Sequence, residues 1–292
     1  MRNIVRIPDR VDRFSFVSGI FGGIFLISLA IFLISLLMPR SVAFAVGDLG
    51  WLNVKTDFGA VGNGSHDDTE AIQNAIQALG STGGTVYFPP GTYSTTASLT
   101  VTNATGVRLV GDSSTASSIR PSAAVAGQPV IRFENGYDCF VENIGIWGNS
   151  GGAPSAAIES HSDSSGYASH LTVKDVNIGS PSSASLVDGI SYTANPDANN
   201  DAGLFENVYI YQFTHAGYAF YHLNGEIHSI VAGQVAYGPI GIYSVGAGFR
   251  MTGTSFIGVS GVTVECLVFC RSCLSGPPPP GPNTAMNRFG PS

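Results

Sequence analysis

Three segments of the chain repeat one pattern at a fixed interval: F-V-E-N-I-G-I from Phe140, T-V-K-D-V-N-I from Thr172 and L-F-E-N-V-Y-I from Leu204. Asn143, Asp175 and Asn207 hold equivalent places at equal spacing along the chain. Each is followed by an apolar pair (Ile144/Ile146, Val176/Ile178, Val208/Ile210) with the alternation of a half-buried strand. I-H-S-I-V-A puts Ser229 in that place in a fourth copy, after a shorter interval. A second series follows in every repeat: A-A-I-E-S-H, D-G-I-S-Y-T, A-G-Y-A-F-Y and I-G-I-Y-S-V, headed by Ile158, Ile190, Tyr218 and Ile242. Two strand series at a nearly constant offset predict a β-solenoid, in which each coil adds one rung to each sheet. The Asn/Asp/Asn column belongs at a turn between sheets, where stacked side chains satisfy backbone groups. The longer coils exceed the shorter one by about ten residues, enough for protruding loops, near Asn149–Ser155 and Asn195–Gly203.

Alternation assigns the faces of the second series. With Ile158, Ile190, Tyr218 and Ile242 inward, Glu159, Ser191, Ala219 and Tyr243 point out. His161, Thr193, Tyr221 and Val245 follow them two places on, and Asp188 and His215 stand just before their strands, at the same rim. Such a face sets carboxylates on rungs ~5 Å apart, suited to acid and base work at a glycosidic bond, with aromatics that stack on sugars. Any solvated sheet also exposes polar residues, so composition alone does not make this face a site. Lys174 and Arg250 are the basic residues near these rungs by this reading, a poor supply for a reaction that needs an Arg or Lys base.

Upstream, residues 53–96 hold a glycine-rich turn, Gly62-Asn63-Gly64, followed by helical spacing at Ile72, Ala75, Ile76 and Leu79, with Gly80 at the stop. Asp67 with Glu70 has the form of a capping box, so Asp67 and Asp68 read as a helix cap rather than as catalysts. N-V-K-T-D-F-G-A-V-G-N-G-S-H-D-D-T-E-A-I, then G-G-T-V-Y-F-P-P-G-T-Y, closely resembles the opening of pectate-lyase-superfamily proteins. The resemblance implies an all-β fold, a right-handed parallel β-helix with a short N-terminal capping helix. The superfamily includes rhamnogalacturonase-like and glucanase-like enzymes and phage tailspikes, so it speaks for fold more than for reaction. Its polygalacturonases carry N-T-D, D-D, G-H-G and R-x-K on successive coils. The nearest matches here are V-D-G-I with Asp188 and T-H-A-G with His215; the N-T-D and R-x-K elements have no counterpart.

Residues 14–38 are apolar without a charge, follow a basic segment and end at Pro39, the pattern of a membrane-targeting helix. Ala43-Phe44-Ala45 has the form of a signal-peptide cleavage site, while the apolar stretch is also long enough for a retained anchor. Either way the rest of the chain is expected outside the cytoplasm, secreted or membrane-anchored. Five of the 13 Lys+Arg and two of the 20 Asp+Glu lie in residues 1–45, leaving a net charge of −10 on residues 46–292. That is the wrong sign for nucleic acid and disfavours an unaided polyanion such as pectate. Cys139 reads as a small buried hydrophobe. Cys266, Cys270 and Cys273 lack a fourth ligand nearby, so no metal site is expected. After Glu265 the pattern fails in a Cys- and Pro-rich tail, with four prolines from Pro277 to Pro280.

These readings divide the chain into a targeting segment (1–45), a β-helix (46–262) and an irregular tail (263–292). The expected function is an exported enzyme acting on a polysaccharide, a glycoside hydrolase with Glu159, Asp188 and His215 catalytic and His161, Tyr221 and Tyr243 holding substrate. No cofactor is expected, and Ca2+ enters only if the protein is instead a polysaccharide lyase. Outside the enzymes stand a non-catalytic glycan-binding adhesin or tailspike, as a homotrimer, and an inactive truncated fragment.

Overall fold

The computed structural model describes residues 50–265, apart from residues 150, 164, 180–185, 195–199, 212–217, 224–227, 237–239, 246–248 and 258–260. The apolar segment 14–38, His215 and the tail cysteines lie outside the described residues. Among those described, no helix is long and apolar enough to cross a membrane.

The coil opens through helix α1 (Thr69–Ala78), which buries Ile72, Ala75 and Ile76 and ends at Gly80 with φ +61. Its start differs from the expected cap. Asp68 stands at the N-cap without a side-chain capping bond. Its fully buried carboxylate turns back instead, accepting Val61 N at 2.7 Å and Gly62 N at 3.0 Å, with His66 Nδ1 at 3.0 Å. Asp67 takes Thr69 N at 3.1 Å and the hydroxyl of Thr96 at 2.6 Å, tying the helix start to the next coil. Both aspartates are structural, as the sequence suggests, by different bonds from those expected.

Among the described residues all strand pairs are parallel, and each coil visits three sheet faces. The first face stacks Gly84–Phe88, Val107–Gly111, Phe140–Glu142 and Thr172–Lys174. The second stacks Gly91–Thr95, Ser117–Pro121, Gly145–Ile146 and Asn177–Gly179. Leu204–Tyr211 and His228–Ala236 run through both, joining them into one folded sheet. The third is a separate sheet of Leu99–Thr102, Ile131–Glu134, Ala156–Ser162, Asp188–Ala194, Tyr218–Leu223, Ile240–Val245 and Gly261–Glu265. The chain is thus a parallel β-helix, and the handedness rule for parallel crossovers makes it right-handed.

The interior is filled by columns, one apolar residue per rung. Val86, Leu109, Val141, Val173, Phe205 and Ile230 are consecutive partners on the first face, all buried. Leu99, Ile131, Ile158, Ile190, Phe220 and Ile242 do the same on the third. Between the first two faces the chain bends at residues in the left-handed region: Asn143 (φ +57), Asp175 (+54), Asn207 (+54), Ala232 (+59) and Gly253 (+70). Asn and Asp tolerate this conformation, which explains the regular Asn/Asp column. Asn207 Nδ2 donates to Asp175 Oδ1 at 2.6 Å. The fourth member is Ala232 rather than Ser229, because Ser229 pairs with Leu204 at the strand start and Ala232 falls opposite Asn207. Cys139 is a free, buried thiol whose pKa desolvation pushes up to about 11.

Candidate functional site

Strand register sets two rows of positions on the outer face of the third sheet. Row one runs Thr100, Arg132, Glu159, Ser191, Tyr221, Tyr243 and Thr263 by strand register. Row two, two residues further along each strand, runs Thr102, Glu134, His161, Thr193, Leu223, Val245 and Glu265. Tyr221 therefore stands beside Ser191 and Tyr243. The sequence alignment headed that strand at Tyr218, whereas Phe220 is the residue that pairs with Ile190. A two-residue shift preserves the face and changes the row.

A continuous polar chain crosses three rungs of this face. Arg132 Nη1 lies 3.3 Å from Glu159 Oε2, and its Nε lies 3.9 Å from Glu134 Oε2. On the other side, Thr193 Oγ1 donates to Glu159 Oε1 at 3.0 Å and stands 2.7 Å from His161 Nδ1. The hydroxyl has one proton and gives it to Glu159, so at that contact His161 Nδ1 is the donor, leaving Nε2 for another partner. Glu159 is only 14% exposed and Arg132 28%. Arg132 Nε and Glu159 Oε2 are buried without a protein hydrogen bond, since their ion pairs meet at distances and angles too loose for one. Both atoms are closed to solvent, so a ligand on this face meets the chain at its half-buried members, Glu134 and His161.

The face is braced from behind by Asn200, which is fully buried. Its Nδ2 donates to Ser160 O at 2.6 Å and Thr193 O at 3.1 Å, and its Oδ1 accepts the Ser160 hydroxyl at 2.9 Å. This clamps the strands bearing Glu159 and Thr193 to each other. The loop before Ala156–Ser162 is pinned by Asn149, whose Nδ2 reaches Pro121 O at 2.8 Å.

The expected site residues distribute unevenly. Glu159, His161 and Tyr243 share the face, and Tyr221 occupies its backbone position there. Asp188 is half-buried at the start of its strand and pairs with Ala156. It has the parity of Ile190 and lies three residues before Ser191, ~10 Å along the strand from Glu159's rung partner. Arg132 and Glu134, absent from the sequence reading, stand where a second carboxylate and a base were sought. Their signal was the alternation I-R-F-E from Ile131, which follows L-T-V-T from Leu99 at the same interval that separates Asn143 from Asp175. Among the described residues no cluster of His, Cys, Asp and Glu could hold a metal ion.

Residues 51–147 match the family model described as rhamnogalacturonase A/epimerase, pectate lyase-like. This stretch belongs to the pectate-lyase-like superfamily. The matched stretch ends at Trp147, so it includes Arg132 and Glu134 and stops short of Glu159. Over 44 residues the chain is 64% identical to plasmin and fibronectin-binding protein A of Streptococcus pneumoniae, 14% of this chain and 6% of that protein. Over 42 residues it is 62% identical to mannuronan C5-epimerase AlgE3 of Azotobacter vinelandii, 14% of this chain and 2% of that one. The chain thus matches only a small part of the length of these curated relatives. Among solved structures, gene product 12 of bacteriophage phi29 is similar at a TM-score of 0.45 and 17% identity, over 73% of this chain and 32% of that one. The A-module of mannuronan C-5 epimerase AlgE6 of Azotobacter vinelandii is similar at 0.34 and 20%, over 73% and 74%. By name these similar proteins are a binding protein, epimerases and a phage protein.

Proposed function

We propose that the protein binds an extracellular polysaccharide along the outer face of the third sheet and hydrolyses it there. The observation that carries this reading is the polar chain Glu134–Arg132–Glu159–Thr193–His161. Glu159, oriented by Arg132 and Thr193, is the group to activate water or attack the anomeric carbon. Glu134 replaces the more distant Asp188 as the second carboxylate. One rung across and two residues along, the two stand ~8 Å apart at Cβ by sheet geometry, compatible with a pair flanking a glycosidic bond. Tyr243, half-buried in the same row three rungs from Glu159 (~14 Å by strand spacing), offers a sugar-stacking surface further along the face. The acidic balance of residues 46–292 favours a neutral or acetylated glycan. Export follows from the charge-free segment 14–38, as read from sequence.

Arg132 favours a second reading, elimination at a uronide, in which its guanidinium neutralises the uronate carboxylate and the neighbouring Glu159 carboxylate takes the C5 proton. The experiment that separates the two is a polysaccharide panel in which new reducing ends and unsaturated products are read separately. Hydrolysis yields reducing ends alone. Glu159→Gln then costs ~100-fold or more in kcat, the scale of a lost acid or base. Unsaturated uronides, abolished by Arg132→Gln, would transfer the case to elimination. Binding without turnover of any glycan would leave a glycan-binding protein.

A further inference from the structure

Beyond the ends of the third-sheet strands the chain builds one more short ladder. Thr105, Tyr137 and Ser169 are bridged in parallel, and Ser169 pairs in turn with Asp201, at equal intervals along the chain. Two residues earlier on three of these coils stand Asn103, Asn135 and Tyr167, at the same interval. Asn103, Thr105, Asn135, Tyr137, Gly166 and Tyr167 line an open cleft of about 390 Å³, at the lower end of the range of small-molecule sites.

The floor of this cleft is fixed by side-chain hydrogen bonds. Asn135 is nine-tenths buried and its amide is committed: Nδ2 donates to Asn103 Oδ1 and Asp163 Oδ1, both at 3.0 Å, and Oδ1 accepts Asp163 N at 3.0 Å. Gly166 lies so close over it that a Cβ there would come within 2.8 Å of Asn135 Cγ. Tyr137 and Tyr167 meet edge to face, centroids 6.3 Å apart and planes at 86°, forming an aromatic corner whose outer wall, Tyr167, is 59% exposed. Asn103 Nδ2, the Thr105 hydroxyl and both tyrosine hydroxyls have no protein partner among the described residues. An exposed ring beside fixed amide and hydroxyl groups suits a sugar, which has apolar C–H faces and a rim of hydroxyls. The charge around it is negative. Asp163 is ionised at ordinary pH, its carboxyl held down at about 2 by bonds from Ser165 and then Asn135. Glu134 and Asp138 adjoin Asn135 and Tyr137 in the chain.

We propose that this cleft binds one neutral pyranose ring, its C–H face on Tyr167 and its hydroxyls on Asn103, Thr105 and Tyr137. The inference rests on the reading of the third sheet as a glycan-handling face, because Asn103 and Asn135 directly follow Thr102 and Glu134 at its edge. The bound unit is a side branch or chain end of the glycan lying on that sheet. The surrounding carboxylates disfavour a uronate.

The test is saturation-transfer NMR on the full-length protein with methyl glycosides of glucose, galactose, mannose and rhamnose, and with galacturonate as the anionic control. Transfer to ring protons of at least one neutral glycoside is expected, with less to galacturonate. Tyr167→Ala should weaken that binding by about tenfold while leaving the melting temperature unchanged, and Tyr167→Phe should keep most of it. No transfer to any neutral glycoside, equal transfer to galacturonate, or binding indifferent to Tyr167→Ala would each overturn the proposal. Glu159→Gln keeps its failure separate from that of the reaction: this variant should bind the monosaccharide like wild type. Binding that persists in a protein with no turnover supports the cleft and removes the reaction. Turnover with no monosaccharide binding removes the cleft alone.

Discussion

The side-chain amide of Gln73 makes with Thr100 the two hydrogen bonds that a further strand would make: Nε2 donates to Thr100 O and Oε1 accepts Thr100 N, both at 2.9 Å. Leu99–Thr102 is the outermost rung of the third sheet, and a bare edge would leave these groups open to pairing with another chain. Helix α1 therefore closes the solenoid chemically as well as sterically.

Gln73→Ala removes both bonds from partly buried backbone, and should cost ~1–3 kcal/mol. Gln73→Glu keeps the acceptor and loses the donor, so it should fall between. Urea unfolding midpoints of the three proteins test the order. An unchanged midpoint in Gln73→Ala would mean that water satisfies the edge equally well.

Asp68 offers a second test. Its carboxylate serves Val61 N and Gly62 N inside the first turn, where it is fully buried. Asp68→Ala leaves two part-buried donors without an acceptor and should destabilise by roughly 2 kcal/mol. Asp68→Asn retains one acceptor oxygen and should cost about half as much on the same basis. Thermal unfolding of both variants, with glycan turnover of the residual folded protein unchanged, would confirm a structural role.

Asp163 makes acid stability measurable. Its folded pKa is depressed from 3.8 to about 2, first by the Ser165 hydroxyl and then by the Asn135 amide. A depressed carboxyl contributes stability that is present above its ordinary value and lost as pH falls through the folded one. The loss should therefore lie between about pH 4 and pH 2. Asp67 is shifted in the same direction by Thr69 and Thr96, so it adds to the same limb. Asp163→Asn should flatten the fall of melting temperature between pH 4 and 2. A variant with the same slope as wild type would place the acid sensitivity elsewhere.

The parts legible in sequence were those set by periodicity. Asn143, Asp175 and Asn207 announced the coil because few L-residues sit comfortably in the left-handed region, so the bend selects its own residue types. Glu159 and Tyr243 fell on one face because parity survives errors of two residues, as Tyr221 shows. What stayed hidden was adjacency between coils of unequal length. The step from Ile131 to Ile158 is shorter than the step from Ile158 to Ile190, so Arg132 did not register as the neighbour of Glu159. The bend itself misled at its fourth member, where Ala232 offers no polar marker.

That fourth member supplies the final prediction. Ala232 holds φ +59 in a column whose neighbours are Asn207 (+54) and Gly253 (+70). A Cβ in this region costs ~1–2 kcal/mol, which Asn offsets by local hydrogen bonding and Gly by having none. Ala232→Asn should therefore stabilise the protein by ~0.5–1 kcal/mol. Ala232→Gly gains the same relief but loses part of it to the greater freedom of its unfolded chain, ~0.4–1 kcal/mol, so it should rank between alanine and asparagine. Asn207→Ala should move the other way by ~1–2 kcal/mol, losing the 2.6 Å bond to Asp175 and incurring the strain that Ala232 already carries. Urea midpoints at constant m-value give all three signs. If both Ala232 variants were destabilised, the bend at that coil would not be held in the left-handed region in solution.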